Sequence, residues 1–307
     1  MKKRTLQRIV VGTLLLFLGG ILFSSWNTST RMESEEPALT IAVSIPPYVQ
    51  LVESVAGVSV NVFSIVPSGY SPETYEPTAR EVQDLATADV LIFNGNLGYE
   101  VALASRVEAV NPDAKIVYLN TALLEEDMLH LEEHGHEEDD HEDEDDAEET
   151  LDPHTWLSPR LVSQQIPLIE AALSESNPEL SQQYAQNAAA VMQSLNQVSQ
   201  DVSKKLAPHS DAAFLVYHPA FGYFAKEFGL RQLYIEVEGK EPSAVEMKER
   251  IAALSDEEIF ALFIEPQFAS RAAESLASEL GLTVQVVDPL SRDYIENIYA
   301  LADSFTK

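Results

Sequence analysis

From Leu39 onward the chain alternates short apolar runs with longer amphipathic stretches. Leu39 to Ile45, Val60 to Ile65, Val90 to Phe93 and Lys115 to Tyr118 have strand length and are rich in β-branched and aromatic residues. Tyr48 to Ala56, Thr78 to Ala86 and Gly98 to Ala109 read instead as helices between them. The pattern starts again further on. Ala213 to Tyr217, Gln232 to Glu236, Ala261 to Glu265 and Thr283 to Val287 read as strands, with Ala220 to Glu227, Ala244 to Leu254 and Ser270 to Leu280 as helices. Alternation of this kind predicts an α/β fold of two lobes, each a small parallel sheet flanked by helices.

Between the two series, Asn177 to about Leu206 is rich in Ala, Gln, Leu and Glu and has no Gly or Pro after Pro178. Pro178 suits a first helical turn, where its missing N–H costs nothing, and Pro208 follows the end. The spacing predicts one rigid helix, which at about 1.5 Å per residue would run roughly 40 Å along both lobes. Such a strut permits rocking more readily than wide hinge closure. The expected organisation is an N-terminal segment over residues 1–37, an N-terminal lobe over 38–176, a linking helix over 177–208 and a C-terminal lobe over 209–307.

The N-terminal segment begins Met1-Lys2-Lys3-Arg4 and continues into an apolar run from Ile9 to Phe23, the charged and apolar parts of an export signal. The chain is therefore expected outside the cytoplasm, in the periplasm or anchored at the cell surface. Phe23-Ser24-Ser25-Trp26 is a poor cleavage site. Roughly 15 to 18 apolar residues are marginal for a bilayer core of about 30 Å, so a removed signal and a retained anchor both remain open.

Charge narrows the partners. The formal net charge is -31, and sixteen of the fifty acidic residues lie between Glu125 and Glu149, where no Lys or Arg occurs. The remainder is acidic too, which argues against nucleic acid and draws in cations. With no cysteine, disulfides, thiolate zinc sites and a lipid-modified N-terminal cysteine are excluded, and any metal must bind through nitrogen and oxygen. Four of the seven histidines, His130, His134, His136 and His141, sit inside the acidic run. Imidazoles and carboxylates at that density offer ligands to a divalent cation. The plainer reading is a solvated loop, and both can hold together.

Four further residues stand where predicted strands give way to loops, the position at which open parallel sheets bind ligands. Pro67 to Pro77 is a turn-rich loop presenting Glu73, and Asp152-Pro153-His154-Thr155-Trp156 carries His154 into a helix opening. His218 and Asp288 close strands of the second series. A cleft between facing lobes would gather one Glu, two His and one Asp around one cation. Singly, each has an ordinary explanation: a structural histidine, a turn aspartate, or a helix-capping glutamate.

Over most of its length from about residue 39, the chain resembles the zinc and manganese solute-binding proteins of ABC transporters, the ZnuA-like family. The resemblance rests on the Pro67 to Pro77 loop, on Asp152-Pro153-His154-Thr155-Trp156-Leu157-Ser158-Pro159, on His218-Pro219-Ala220-Phe221-Gly222-Tyr223-Phe224, on Glu238-Gly239-Lys240-Glu241-Pro242-Ser243 and on Val287-Asp288-Pro289-Leu290. It implies a metal buried between two lobes and delivered to a membrane permease, and a His-rich acidic loop typical of zinc-type members. One departure stands out: Glu73 occupies a position where the family commonly has His. Two carboxylates suit harder cations, whereas His218 and the His-rich loop favour zinc, which accepts oxygen ligands at about 2.0 to 2.2 Å.

The expected function is thus extracytoplasmic capture of Zn(II) as transported ligand, with manganese or iron as alternative cargo, by a monomer that partners the permease of an ABC importer and no nucleic acid. His130, His134, His136 and His141 are expected to collect metal weakly. A zinc hydrolase, the rival from another class, would need an open coordination position and a general base. A surface adhesin or scaffold would use the metal structurally.

Overall fold

The computed structural model describes residues 39–57, 60–130, 151–236, 252, 254, 257–266 and 277–306. Its first half comprises β1 (Leu39–Val43), α1 (Pro47–Ala56), β2 (Val60–Ser64), α2 (Ala79–Leu85), β3 (Val90–Phe93), α3 (Gly98–Val110), β4 (Lys115–Tyr118) and α4 (Pro159–Ser176). After α5 (Ser181–Leu206) come β5 (Ala213–Val216), α6 (Gly222–Phe228), β6 (Arg231–Tyr234), β7 (Ile259–Ile264), β8 (Val284–Val286) and α7 (Tyr294–Ser304). Most of the expected helices Ala244 to Leu254 and Ser270 to Leu280, the N-terminal segment and the Glu238 to Ser243 motif lie outside the described residues. Among the described residues no helix is long and apolar enough to cross a membrane.

Each half carries one four-stranded sheet of wholly parallel pairs, in the orders β2-β1-β3-β4 and β6-β5-β7-β8. The two sheets repeat one topology. Parallel sheets covered on both faces need apolar residues at every position, and β3 (VLIF) and β5 (AFLV) are buried throughout.

Local signals set the helix boundaries. Thr78 caps α2 in a reciprocal capping box with Glu81, and Ser158 caps α4, whose first residue is Pro159. The turn from β3 into α3 is organised by Glu100, whose buried carboxylate accepts from the backbone N–H groups of Asn94, Gly95 and Leu97 and from the Ser44 hydroxyl. Gly95 is required there: its φ is +105°, and a Cβ would lie 2.0 Å from Asn120 Oδ1.

The expected linking helix is present and opens on a tighter turn. Pro178–Leu180 forms a three-ten turn, and the α-helix begins at Ser181. Its buried residues Tyr184, Ala188, Val191, Leu195, Val198, Val202 and Leu206 recur every three or four positions and form one apolar stripe. That stripe belongs to a single buried cluster containing Val43 and Ile92 from the first sheet and Phe214 and Phe263 from the second. One core therefore runs behind both lobes. Further ties are polar: Trp156 Nε1 donates to Pro289 O at 2.8 Å, and the Ser158 hydroxyl donates to Glu227 on α6.

Candidate metal centre

Three of the expected ligands meet. Glu73, His154 and His218 each offer an atom within 4.8 Å of the other two. His218 Nε2 lies 3.2 Å from His154 Nε2 and 3.1 Å from Glu73 Oε2, and His154 Nε2 lies 3.5 Å from Glu73 Oε1. Both imidazoles are buried, while the Glu73 side chain is 25% exposed. Ligands about 2.0 to 2.1 Å from a tetrahedral ion lie roughly 3.3 Å apart, and these contacts are of that size, with a different Glu73 oxygen facing each imidazole.

Local structure explains the aim of each ring. Asp152 Oδ1 accepts from the His154 backbone N–H at 2.9 Å and holds His154 Nδ1 at 2.7 Å, so a turn made by Asp152 and Pro153 presents Nε2 to the common point. The His154 ring also packs on Trp156, with centroids 4.9 Å apart. His218 Nδ1 is hydrogen-bonded to Glu236. A carboxylate behind each ring fixes the tautomer that frees Nε2, the usual support for a metal-binding histidine.

Sheet register places that support. Val216 on β5 pairs with Tyr234 on β6 and with Phe263 on β7. Two residues beyond each pairing stand His218, Glu236 and Glu265, side by side at the carboxyl edge of the sheet. Glu265 is buried, lines the same small pocket as His154 and His218, and has an Oε1 with no hydrogen-bond partner among the described residues. Asp152, Glu236 and Glu265 carried no assigned role in the sequence. The signals were an Asp two residues before a His and acidic residues closing neighbouring strands.

Asp288 stands outside the three-residue group. It follows β8 at the same sheet edge, and its Oδ1 accepts from the Leu290 backbone N–H at 2.9 Å. His130 pairs in an isolated antiparallel bridge with Leu151, which closes the two ends of residues 131–150. His134, His136 and His141 lie outside the described residues.

Electrostatics agree with a site built for a cation. Burial works to lower the His218 pKa, but its hydrogen bonds to Glu236 and Glu73 prevail and push it up to about 10. Burial works to raise Glu73, yet the hydrogen bond from His218 and the two imidazoles bring it below the ordinary carboxylate value. Burial, aided by the charges of Glu73, Glu236 and Asp288 and opposed by His218, pushes Glu265 up to about 8.

Residues 41–307 match the family model described as ZnuA, zinc-uptake complex component A, periplasmic. The high-affinity zinc uptake system protein ZnuA of Bacillus subtilis (strain 168) is 29% identical over 271 residues, covering 86% of this chain and 83% of that protein. The zinc-binding protein AdcA of Streptococcus pyogenes serotype M1 is 27% identical over 307 residues, and the chain spans just over half, 58%, of its length. Among solved structures, a crystal structure of ZnuA superposes with a TM-score of 0.78 at 34% identity, over 87% of this chain and 97% of the other. A zinc-bound ZnuA lacking residues 138–173 of its own numbering gives 0.75 at 33% identity, over 87% and 96%.

Proposed function

We propose, from the premise that this chain belongs to the ZnuA family of metal-binding components of ABC importers, that it captures Zn(II) between its lobes outside the cytoplasmic membrane and hands it to a membrane permease. Glu73, His154 and His218 form the face that meets the ion. Asp288, at the end of β8, supplies the fourth ligand from the C-terminal lobe by exchanging its turn hydrogen bond for the metal. The observation that carries this reading is the gathering of two imidazole Nε2 atoms and the Glu73 carboxylate, with contacts of 3.1, 3.2 and 3.5 Å, a spacing suited to ligands around one ion. The residues do work suited to transport and not to catalysis. Four protein ligands leave no open position for a reacting water, and the family is one of binding proteins.

Imidazole nitrogen from His154 and His218 favours zinc, while Glu73 in place of a third imidazole admits a harder ion. Manganese is therefore the second reading, favoured by that one residue. Residues His130, His134, His136 and His141 collect cations weakly, and the N-terminal segment directs export, by cleavage or as an anchor. Metal content of protein purified without added metal, followed by competition of zinc against manganese for wild type and Glu73→His, tests the assignment. Zinc is expected to win in both, by a wider margin in the variant; manganese winning in wild type would refute it. Deleting residues 132–149 should remove weak sites and leave one tight site.

A further inference from the structure

His154 is held by Asp152, and Asp152 is itself held from the other lobe. Tyr223, the second residue of α6, is buried, and its hydroxyl donates to Asp152 O at 2.9 Å while accepting from Leu129 N–H at 2.9 Å. Asp152 N–H donates in turn to Leu129 O at 2.8 Å. One hydroxyl thereby fastens both strands of the stem that ends in the His130–Leu151 bridge. The preceding residue leaves room for the carboxylate: a Cβ on Gly222 would lie 3.1 Å from Asp152 Oδ2 and 3.2 Å from Leu129 Cδ1. Burial holds the Tyr223 hydroxyl well above the ordinary tyrosine pKa, so it remains a donor at every working pH.

We infer that Tyr223 is a positioning residue for the cation ligand His154, acting across the lobes through Asp152. This rests on the proposed metal site. The backbone of Asp152 fixes where its side chain starts, and Oδ1 of that side chain both accepts from the His154 backbone N–H and holds Nδ1 of the imidazole. Loss of the hydroxyl frees the Asp152 carbonyl and the Leu129 N–H together, lets the stem drift, and widens the range of orientations His154 samples. A ligand that must be reoriented binds metal more weakly.

The test uses the full chain with Tyr223→Phe, Asp152→Asn and the double variant, and with Gly222→Ala as a second way to disturb Asp152 while keeping the hydroxyl. Zinc affinity is read by chelator competition, and the ring nitrogens of His154 by NMR in the metal-free protein. Replacing a carboxylate behind a metal-bound imidazole costs about 10- to 100-fold in affinity, so Tyr223→Phe, one step further out, should cost about 3- to 10-fold. In the Asp152→Asn background the same change should cost less than about 2-fold, because the route is already cut. His154 nitrogen shifts should move in both Tyr223→Phe and Gly222→Ala. Unchanged zinc affinity in Tyr223→Phe, equal losses in both backgrounds, or unmoved His154 shifts would overturn the inference, even if the melting temperature falls. Wild type that binds no zinc would instead sink the proposed function, and the metal-free NMR shifts would still decide the role of Tyr223.

Discussion

Zinc capture should expel a proton from His218, and the pH range over which it does so is set by the residues on both sides of that ring. With Nδ1 against Glu236 and Nε2 against Glu73, the metal-free imidazole is held as a cation up to about pH 10. A metal can use Nε2 only after its proton leaves. At pH 7, three units below that value, the competition lowers apparent affinity by about a thousand-fold, and each unit of rising pH restores about tenfold. An ordinary histidine, with a pKa of about 6.5, is already mostly neutral at pH 7 and would gain less than about 2-fold from pH 7 to 9. The present site should gain about 100-fold over that interval. Glu265 acquires its charge in the same interval, so the series is run also on Glu265→Gln, where the slope should persist. Calorimetry of Glu265→Gln in two buffers of different ionisation enthalpy at pH 7 should show about one proton released per zinc, and competition titrations at pH 7, 8 and 9 give the slope. Flat affinity across these three points would mean that the hydrogen bonds around His218 do not hold its proton, and the reasoning would fail.

Other outcomes follow from the same geometry. Asp152→Asn and Glu236→Gln should each weaken zinc by about 10- to 100-fold at pH 7 through loss of ring orientation, with part of the Glu236→Gln loss recovered because its histidine sheds a proton more readily; chelator competition measures both. Stability of the metal-free protein should depend on pH in a definite direction. The folded-state pKa of His218 is raised, so its contribution is fully present below about pH 6.5 and lost as pH rises through about 10; thermal unfolding of metal-free protein should fall between pH 7 and 10, and zinc-saturated protein should not follow it. Gly95→Ala should destabilise by about 1 to 3 kcal/mol, from a positive φ and a Cβ in the space of Asn120, and a wild-type melting temperature would contradict this.

Much of the fold was legible in the chain because buried parallel strands announce themselves. Val90–Phe93 and Lys115–Tyr118 fall where the apolar runs place them. Helix α4 was signalled only by its opening, since Pro167 lies inside it and Pro ordinarily reads as a breaker. The linking helix was legible from its Pro-first opening and the lack of Gly and Pro beyond it, although that signal does not tell a three-ten first turn from an α-turn. At the centre, Glu73, His154 and His218 could be found as metal-binding residue types in the loop after β2, at a helix opening and at the end of β5. Glu236 and Glu265 could not be given roles, because their nearness to His218 comes from pairing between strands and not from any spacing along the chain.

Between His218 and Glu236 the chain makes the whole excursion of α6 and returns, yet backbone bonds set the two side chains abreast. Extra residues in the connections flanking α6 would leave that partnership intact. A single residue gained or lost within β6 would turn Glu236 toward the opposite face of the sheet and leave the imidazole without its anchor. The centre thus tolerates growth around its periphery and is vulnerable to slippage of one strand, so deletions of one residue in β6 should abolish tight capture where far longer insertions outside it do not.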